Sequence, residues 1–244
     1  MRLVLYNIRY GTGSGVGYHF PFPYSGCLRR TEERYFQISE YLSNLNPDLV
    51  GLVEVDEGSY RQNGRSQADS LASLIGGESV FACKYDSGSI VSRVPLLKSQ
   101  GNAVVTKLPV VNKSEHMLSK GVKKTLLEVE FEDFALFLAH LPLGYTARKV
   151  QLEEIAARCI DSKKPVIFAG DCNTYRGESE LRPFFQMTGF KNANYTNRPT
   201  FPSSVPTLAL DFVLYDPRIR MKAFDVPYVR LSDHLPLVYD FIVA

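Results

Sequence analysis

Asp171 and Asn173 directly follow a short apolar run, and these two residue types can act together on a small polar target. The run at Val166–Ala169 begins with two β-branched residues and indicates a buried strand, which Gly170 ends. Open α/β sheets bind their ligands at the carboxyl ends of strands. There the acid can hold a metal ion or accept a proton, while the amide can orient a water molecule or an anionic oxygen. By itself the pair is equally consistent with an ordinary turn.

Polar side chains of similar kinds lie where other predicted strands end or begin. Taken singly, each is also consistent with a turn, a solvated surface or a packed histidine. Taken together, their positions at strand ends predict that they converge on one edge of the fold. The set comprises Asn7, Glu54, His140, Asp171 with Asn173, Asp211, and Asp233 with His234.

These residue types favour one chemistry. Carboxylate and amide oxygens without cysteine ligands suit a hard cation such as Mg²⁺ or Mn²⁺. Histidines beside carboxylates suit acid–base work or contact with an anionic oxygen. Hydrolysis of a phosphate ester requires charge neutralisation at the phosphate oxygens, an activated water molecule and stabilisation of the leaving oxygen. The residue types therefore indicate phosphate-ester hydrolysis.

Alternating apolar runs and amphipathic segments predict the elements that position these residues. Thr31 is predicted to cap a helix with the apolar face Tyr35, Ile38, Leu42 and Leu45. A second helix is predicted over 66–75 with Leu74 facing inward, a third is predicted to be capped by Thr146, and a shorter one covers roughly 178–187. Strands are predicted over 3–8, 48–53, 102–106, 125–131, 134–139, 166–169, 211–215 and 235–241. The mixture of βα units and hairpins indicates sheets packed against outer helices.

Composition indicates an ordinary globular protein. The 244 residues are 45% hydrophobic and 22% charged, and we expect one domain over 1–244. A net charge of +2 is too small to argue for nucleic acid by itself. Four cysteines without a CxxC pair indicate reduced thiols. The amino terminus turns polar too early for a signal peptide, and no apolar run approaches ~18 residues, so we predict a cytoplasmic protein.

Two further features leave alternatives open. Residues 11–26 are rich in glycine and aromatic residues and form either a surface loop or a lip that faces the substrate. Lys84, Arg93, Lys98 and Lys107 either form a local basic patch or are scattered solvated residues, and we favour the second reading.

The chain resembles the endonuclease/exonuclease/phosphatase superfamily, which includes pancreatic-type deoxyribonuclease, abasic-site endonucleases, neutral sphingomyelinases and inositol polyphosphate 5-phosphatases. The resemblance covers residues 3–241 and implies a deoxyribonuclease I-like fold, an α/β (α+β) four-layered sandwich of two facing mixed β-sheets flanked by helices. It rests on short motifs in family order: Tyr6–Arg9, Pro47–Val55, Gly101–Val104, Ala139–Pro142, Gly170–Asn173, Leu210–Val213 and Ser232–His234.

The resemblance also implies roles for individual residues. Glu54 would be the principal metal ligand, Asn7 would support the metal or the phosphate, and Asp233 would lie at the metal side. Asn102 would contact the substrate. His140 matches a position that is histidine in the deoxyribonuclease and sphingomyelinase branches, and it would contribute to catalysis and substrate binding.

The remaining residues would act on water and phosphate. Asp171 would position or deprotonate the attacking water, and Asn173 would hold water or a phosphate oxygen. His234, oriented by Asp211, would contact the scissile phosphate or act as the acid or base. The sequence leaves open which of Asp171 and His234 is the base, and whether one metal ion or two are used.

Some positions depart from the named branches. Arg9 stands where abasic endonucleases carry an acid, and Thr106-Lys107 stands where many relatives have Ser-Arg. The signature loops of the 5-phosphatases are missing around Asp211, and residues 200–206 are most similar to poorly characterised bacterial members. The substrate is therefore not inherited from the named branches.

We expect a Mg²⁺-dependent hydrolase, with Mn²⁺ as a substitute, that cleaves a phosphate ester by in-line attack of water. A phosphodiester is favoured over a monoester, and nucleic acid or a nucleotide over a membrane lipid. The alternatives are a phospholipid or sphingomyelin-type phosphodiesterase, for which His140 and the 11–26 stretch are suited, and a non-catalytic binding module on the same fold. We predict no protein partner.

Overall fold

Two β-sheets pack face to face and carry helices on their outer faces. The computed structural model describes residues 1–14, 28–84 and 99–243. Its strands are β1 Arg2–Asn7, β2 Leu49–Asp56, β3 Glu78–Cys83, β4 Gln100–Thr106, β5 Asn112–Met117, β6 Thr125–Glu130, β7 Ala135–His140, β8 Val166–Asp171, β9 Lys191–Asn192, β10 Asp211–Tyr215, β11 Ile219–Asp225 and β12 Leu237–Val243. Its α-helices within the described residues are α1 Glu32–Asn44, α2 Gln67–Ile75, α3 Tyr145–Asp161 and α4 Arg182–Thr188.

Each sheet has six strands and a parallel pair near its centre. The strand order is β11-β12-β1-β2-β4-β3 in the first sheet and β5-β6-β7-β8-β10-β9 in the second. The pairs β1/β2 and β7/β8 are parallel, and the other neighbours are antiparallel. Because parallel strands end at the same sheet edge, each pair presents two carboxyl ends together. The four strands end at or near Asn7, Glu54, His140 and Asp171.

Apolar side chains form three buried layers that hold this arrangement. The inner faces of the two sheets meet through residues such as Leu5, Leu138 and Ile167. The outer face of the first sheet packs on α1 and α2 through residues such as Ile38 and Leu71. The outer face of the second sheet packs on α3 and α4 through Leu152, Ile155 and Phe184 among others. The predicted four-layered sandwich of two mixed sheets is confirmed. Within the described residues, no helix is both long and apolar enough to cross a membrane.

The sequence analysis missed four strands, β3, β5, β9 and β11. All four are edge strands: β11 and β3 bound the first sheet, and β5 and β9 bound the second. Edge strands leave many side chains exposed, so β5 has only partly buried or exposed positions and β11 has one buried residue. Except for β3, which contains an apolar run at 80–83, these strands lack the apolar runs by which the central strands are predicted.

Several local predictions were wrong in detail. Thr31 precedes α1, but its hydroxyl accepts a hydrogen bond from Gln62 Nε2 and does not cap the helix. Leu74 on α2 is 49% exposed, because this short helix buries only one face. Helix α3 begins at Tyr145, so Thr146 lies inside it. The predicted helix over 178–187 is a 3₁₀ turn, Glu178–Leu181, followed by α4.

The close approach of β8 to β7 gives a test of this packing. A Cβ atom added to Gly170 would lie 2.0 Å from the carbonyl oxygen of Ala139. We expect Gly170→Ala to lower the free energy of unfolding by about 1–3 kcal/mol, because backbone must move. A Cβ atom added to Gly144 would have no neighbouring atom within 4 Å. Gly144→Ala should therefore lower the free energy of unfolding by less than about 1 kcal/mol. Urea denaturation of both variants measures this, and equal losses would contradict the packing described.

Candidate active site

The Asp171 carboxylate lies at the centre of the predicted residues. Its Oδ2 accepts a hydrogen bond from Asn7 Nδ2 at 3.0 Å, and it lies 3.3 Å from His140 Nε2 and 3.8 Å from His234 Nε2. Its Oδ1 accepts from the Asn173 backbone N–H at 3.0 Å. These partners come from both sheets, so one buried carboxylate joins the two halves of the fold. Burial raises the pKa of Asp171 to about 6, against the opposing effect of His234.

Asn173 lies in the turn that follows β8. Its backbone adopts a left-handed conformation, with φ of 50°, that asparagine tolerates better than most residues. Its Nδ2 donates to the carbonyl oxygen of Leu141 at 2.8 Å. The side chain therefore joins the loops that follow β7 and β8 and fixes the edge at which His140 and Asp171 meet.

Asp211 and His234 form a buried hydrogen-bonded pair. His234 Nδ1 lies 2.8 Å from Asp211 Oδ2, which also accepts the hydroxyl of Thr200 at 2.6 Å. The ring of Phe201 packs against the imidazole with 4.8 Å between centroids. Burial lowers the pKa of His234, but the carboxylates of Asp211 and Asp171 outweigh that effect and raise it to about 10. The imidazole is therefore held as a cation with Nε2 directed toward Asp171.

The sequence analysis placed Glu54 at the end of its strand, but the residue occupies a strained position inside β2. The pairing of β2 with β4 shifts register between Val53 and Val55, and Glu54 has a φ of 59° at this bulge. Its backbone N–H lies 3.4 Å from the Asn102 Oδ1 of β4. Bulges redirect side chains and are common beside active sites. Here the bulge turns the carboxylate toward His140.

Nitrogen atoms surround the Glu54 carboxylate at distances just beyond a hydrogen bond. His140 Nδ1 is 3.6 Å from Oε1, Lys84 Nζ is 3.9 Å away and Lys123 Nζ is 4.0 Å away. Burial alone would raise the pKa of Glu54, and the two ammonium groups overcome that effect and lower it. The glutamate is thus an ionised carboxylate with space around it.

His140 is buried and neutral. Burial lowers its pKa well below the ordinary value, and Lys123 and Lys84 lower it further. Its Nε2 is hydrogen bonded to Lys123 Nζ, while its buried Nδ1 has no hydrogen-bond partner. Nδ1 faces Glu54, and Nε2 faces both Lys123 and the Asp171 carboxylate.

The oxygen ligands present fit a hard divalent cation. Glu54 accepts no hydrogen bond from the described residues, and the neighbouring nitrogens leave a gap around its oxygens. Asn7 Oδ1 and the Asp233 carboxylate lie in the same region, linked by Arg9, whose N–H donates to Asn7 and whose Nε is 3.2 Å from Asp233. Oxygen ligands of this kind suit Mg²⁺ or Mn²⁺.

A different set of side chains, next to these oxygen ligands, is compact enough to share an ion. Single ligand atoms of Asp171, Asp211 and His234 all lie within 4.8 Å of one another, counted over the described part of the chain. Asp211 and His234 are already hydrogen bonded to each other. Both oxygens of Asp171 accept hydrogen bonds, whereas Asp211 Oδ1 is buried and accepts none from the described residues.

A buried ion pair between Asp56 and Arg61 holds the end of β2 next to the site. Asp56, at the end of β2, accepts from Arg61 Nε at 2.7 Å and from both the N–H and the hydroxyl of Ser59. The Arg61 guanidinium lies 4.7 Å from the centre of the Tyr10 ring. Gln67 Oε1 accepts a hydrogen bond from the Asp56 N–H at 2.8 Å, and Gln67 Nε2 donates to the Tyr10 carbonyl at 3.1 Å. This network fixes the end of β2 against the turn that carries Arg9.

The structure brings together every residue that the sequence analysis selected, and it adds residues that were not selected. Lys123 belongs to a run of lysines and glycine that is typical of a solvated loop, so the sequence carries no signal for its burial. Lys84 was considered scattered, yet it faces Glu54. Lys107 is exposed, and Arg93, Lys98 and most of the 11–26 stretch lie outside the described residues.

The Asp56–Arg61 pair makes a stability prediction. Arg61→Met should lower the free energy of unfolding by about 3–5 kcal/mol, because it leaves a buried carboxylate without its cation. Arg218 forms a comparable pair with Asp216 but its side chain is 53% exposed, and Arg218→Met should cost less than about 1 kcal/mol. Urea denaturation compares the two, and similar small losses would contradict the supporting role of Arg61.

The pKa of His234 makes a prediction about pH. An imidazolium whose pKa rises on folding stabilises the protein fully below its unfolded pKa of about 6.5, and this contribution is lost as pH rises through about 10. In EDTA, the stability advantage of the wild type over Asp211→Asn should therefore be largest near pH 6.5 and shrink toward pH 10. Urea denaturation across this range measures it, and a constant difference would contradict the charged pair.

Comparison with known proteins identifies relatives of this chain. Residues 5–234 match the sequence model of the endonuclease/exonuclease/phosphatase family. A UPF0294 protein of Erwinia tasmaniensis is 26% identical over 178 residues, which cover 71% of this chain and 57% of that protein. The match thus spans little more than half the length of this curated relative.

Solved structures show the same architecture. The mannosyl-6-phosphatase of Bacteroides thetaiotaomicron superposes with a TM-score of 0.72 at 16% identity, over 99% of both chains. The catalytic domain of human Nocturnin superposes with a TM-score of 0.73 at 20% identity, over 100% of this chain and 94% of that one. These identities support a shared fold. Because the family match covers nearly the whole sequence, the chain belongs to the endonuclease/exonuclease/phosphatase family.

Proposed function

We propose that this chain is a divalent-metal-dependent phosphoesterase that hydrolyses its substrate by in-line attack of water. The observation that carries the proposal is the position of Asp171, whose Oδ2 lies within 3.8 Å of Asn7, His140 and His234 nitrogens. A carboxylate between a cationic imidazole and a group of oxygen ligands meets the requirements of phosphate-ester hydrolysis. Membership of a family of nucleases and phosphatases supports the same reaction class.

Glu54, Asn7 and Asp233 would hold Mg²⁺, or Mn²⁺ in its place. The fit rests on the Glu54 carboxylate at its strained bulge, which accepts no hydrogen bond from the described residues, and on oxygen ligands of the type these ions prefer. When bound, the ion supplies positive charge to the phosphate oxygens and to the leaving oxygen.

Asp171 would orient the attacking water and accept its proton. Its raised pKa, about 6, is close to neutral pH, which suits a general base. Asn173 would hold the water or a phosphate oxygen from the adjacent turn. His234 is the less suitable base, because its pairing with Asp211 keeps it protonated.

His234 would instead act on the phosphate itself. Its charged Nε2–H can donate to a non-bridging oxygen and strengthen that bond as negative charge develops in the transition state. Asp211 and Thr200 hold the imidazole in one orientation, so little reorganisation is required. His140 and Asn102 would contact the substrate on the Glu54 side.

The sequence analysis favours a phosphodiester, with nucleic acid or a nucleotide before a lipid, and this stays a prediction. One structural neighbour is named a mannosyl-6-phosphatase, so the same fold also serves a phosphomonoester. A non-catalytic binding module would retain metal binding without turnover, and the assay below distinguishes that case.

Removal of the central groups should abolish turnover. We expect Asp171→Asn and His234→Ala each to lower kcat by about 10²–10⁴-fold. The first variant would lose the general base, and the second would lose the imidazolium that contacts the phosphate oxygen. The measurement is release of 4-nitrophenol from aryl phosphate esters in Mg²⁺ and in Mn²⁺, with EDTA as the metal-free control.

His116→Ala provides the matched control. His116 pairs with Glu128 on strands β5 and β6, outside the site, so this variant should retain wild-type kcat. Melting curves of all variants verify that they fold. Wild-type turnover by a folded Asp171→Asn or His234→Ala protein, or turnover that EDTA does not affect, would overturn the proposal.

A further inference from the structure

A buried arginine on α3 holds the loop that directly follows His140. Arg148 lies in the first turn of the helix, and its side chain is 2% exposed. Its Nη1 donates to the carbonyl oxygens of Pro142 at 3.0 Å and of Leu143 at 2.8 Å. Because a buried charge is unfavourable unless it is paired and hydrogen bonded, these bonds fix the loop to the helix.

Glu180 extends the same contact to the loop that follows β8. Arg148 Nε lies 2.8 Å from Glu180 Oε2, and Glu180 Oε1 accepts the backbone N–H of Arg176 at 2.8 Å. The Glu180 side chain is 4% exposed. Arg176 follows Asn173 by three residues. One buried ion pair therefore holds both the loop after β7 and the loop after β8.

The two loops are also joined to each other beside the predicted catalytic groups. Asn173 Nδ2 donates to the Leu141 carbonyl at 2.8 Å, and the Leu141 N–H donates to the Asp171 carbonyl at 2.9 Å. Arg148 and Glu180 thus hold the loops from outside, while Asn173 holds them at the site. A displacement of about 1 Å in a reacting group can lower a rate by about 10²-fold, so the position of these loops matters.

The metal side of the site belongs to other elements. The proposed ligands Asn7 and Glu54 lie on strands of the first sheet, whereas the loops that the ion pair holds follow strands of the second. We therefore expect the pair to affect the side of the site that orients water and phosphate, and to leave metal binding almost unchanged.

We propose that Arg148 and Glu180 are positioning residues for the hydrolysis. By holding the loops that follow β7 and β8, they keep His140, Asp171 and Asn173 in the arrangement that the reaction needs. This inference rests on the proposed function and adds two residues that touch neither substrate nor metal. A buried ion pair is weak evidence for stability, because apolar side chains of similar volume often stabilise a fold equally well. The bonds to both loops therefore indicate a role in position.

Replacement of the whole pair separates position from stability. Arg148→Met/Glu180→Leu introduces apolar side chains of similar size, so the melting temperature should stay close to that of the wild type. Because both loops would lose their bonds to the pair, kcat should fall by about 10- to 100-fold. Affinity for Mn²⁺ should change by less than about threefold. Release of 4-nitrophenol from aryl phosphate esters and calorimetric titration with Mn²⁺ measure the two quantities.

A milder variant covers the case in which the double variant does not fold. Arg148→Lys retains the positive charge but not the planar fork that reaches both loops at once. It should lower kcat by about fivefold or more, again with almost unchanged Mn²⁺ affinity. Wild-type kcat in folded Arg148→Lys protein would contradict the positioning role.

Lys149→Met/Glu153→Leu is the matched control. These residues form an ion pair on the same helix at 3.9 Å, but their side chains are 54% and 45% exposed, so kcat should stay within about twofold of the wild type. A folded Arg148→Met/Glu180→Leu protein with wild-type kcat, or with Mn²⁺ affinity and kcat lowered equally, would overturn the inference while the proposed function stands. Wild-type turnover that EDTA does not affect would instead contradict the proposed function.

A double-mutant cycle tests whether the pair acts through the joined loops. Asn173→Ala should lower kcat in the wild type. In Arg148→Met/Glu180→Leu protein the same substitution should have an effect at least about fivefold smaller, because the loops have already lost one of their two connections. Equal fold losses in the two backgrounds would contradict this route of action.

Hydrogen exchange gives a readout that does not depend on turnover. The N–H groups of Leu141 and Tyr175 donate to the carbonyl oxygens of Asp171 and Asn173. In metal-free Arg148→Met/Glu180→Leu protein these amides should exchange about 10-fold faster or more, while amides of the central strand β1 keep their wild-type rates. Unchanged exchange in both loops, or an equal increase throughout the chain, would contradict a local positioning role.

Discussion

The site depends on a buried carboxylate shared between two sheets. Asp171 ends a central strand of one sheet, and Asn7, which ends a central strand of the other, donates to it. A buried carboxylate is costly unless other groups bond to it, so its position demands that both sheets deliver polar partners to one point. The sandwich satisfies this demand because each sheet contains one parallel strand pair whose ends reach the same edge.

Around this centre, charge is arranged in two unlike halves. On one side Asp211 fixes His234 as a cation, supported by Thr200 and Phe201. On the other side Glu54 is turned inward by a strained bulge and faces His140 and the lysines. The first half provides a cation that suits contact with an anionic oxygen, and the second provides oxygen ligands that suit a metal ion. The proposed hydrolysis would use both halves together.

The sequence predicts this edge well because central strands are apolar runs that end in polar residues. Asp171, His140 and Asn7 could be selected on that basis, and the resemblance ordered them along the chain. Glu54 was selected but placed at the end of its strand, because this charged residue interrupts the apolar run, whereas the strand continues past the bulge to Asp56. Lys123 could not be selected, because its burial depends on Gln151 of α3, a contact between distant parts of the chain.

Metal binding at Glu54 tests the account most directly. The measurement is calorimetric titration of the metal-free protein with Mn²⁺, for the wild type and for Glu54→Gln, which preserves shape and removes the charge. The account predicts that the wild type binds Mn²⁺ and that Glu54→Gln, with an unchanged melting curve, loses most of that affinity. Equal Mn²⁺ affinity in the two proteins would contradict the assignment of Glu54 and with it the arrangement of the site.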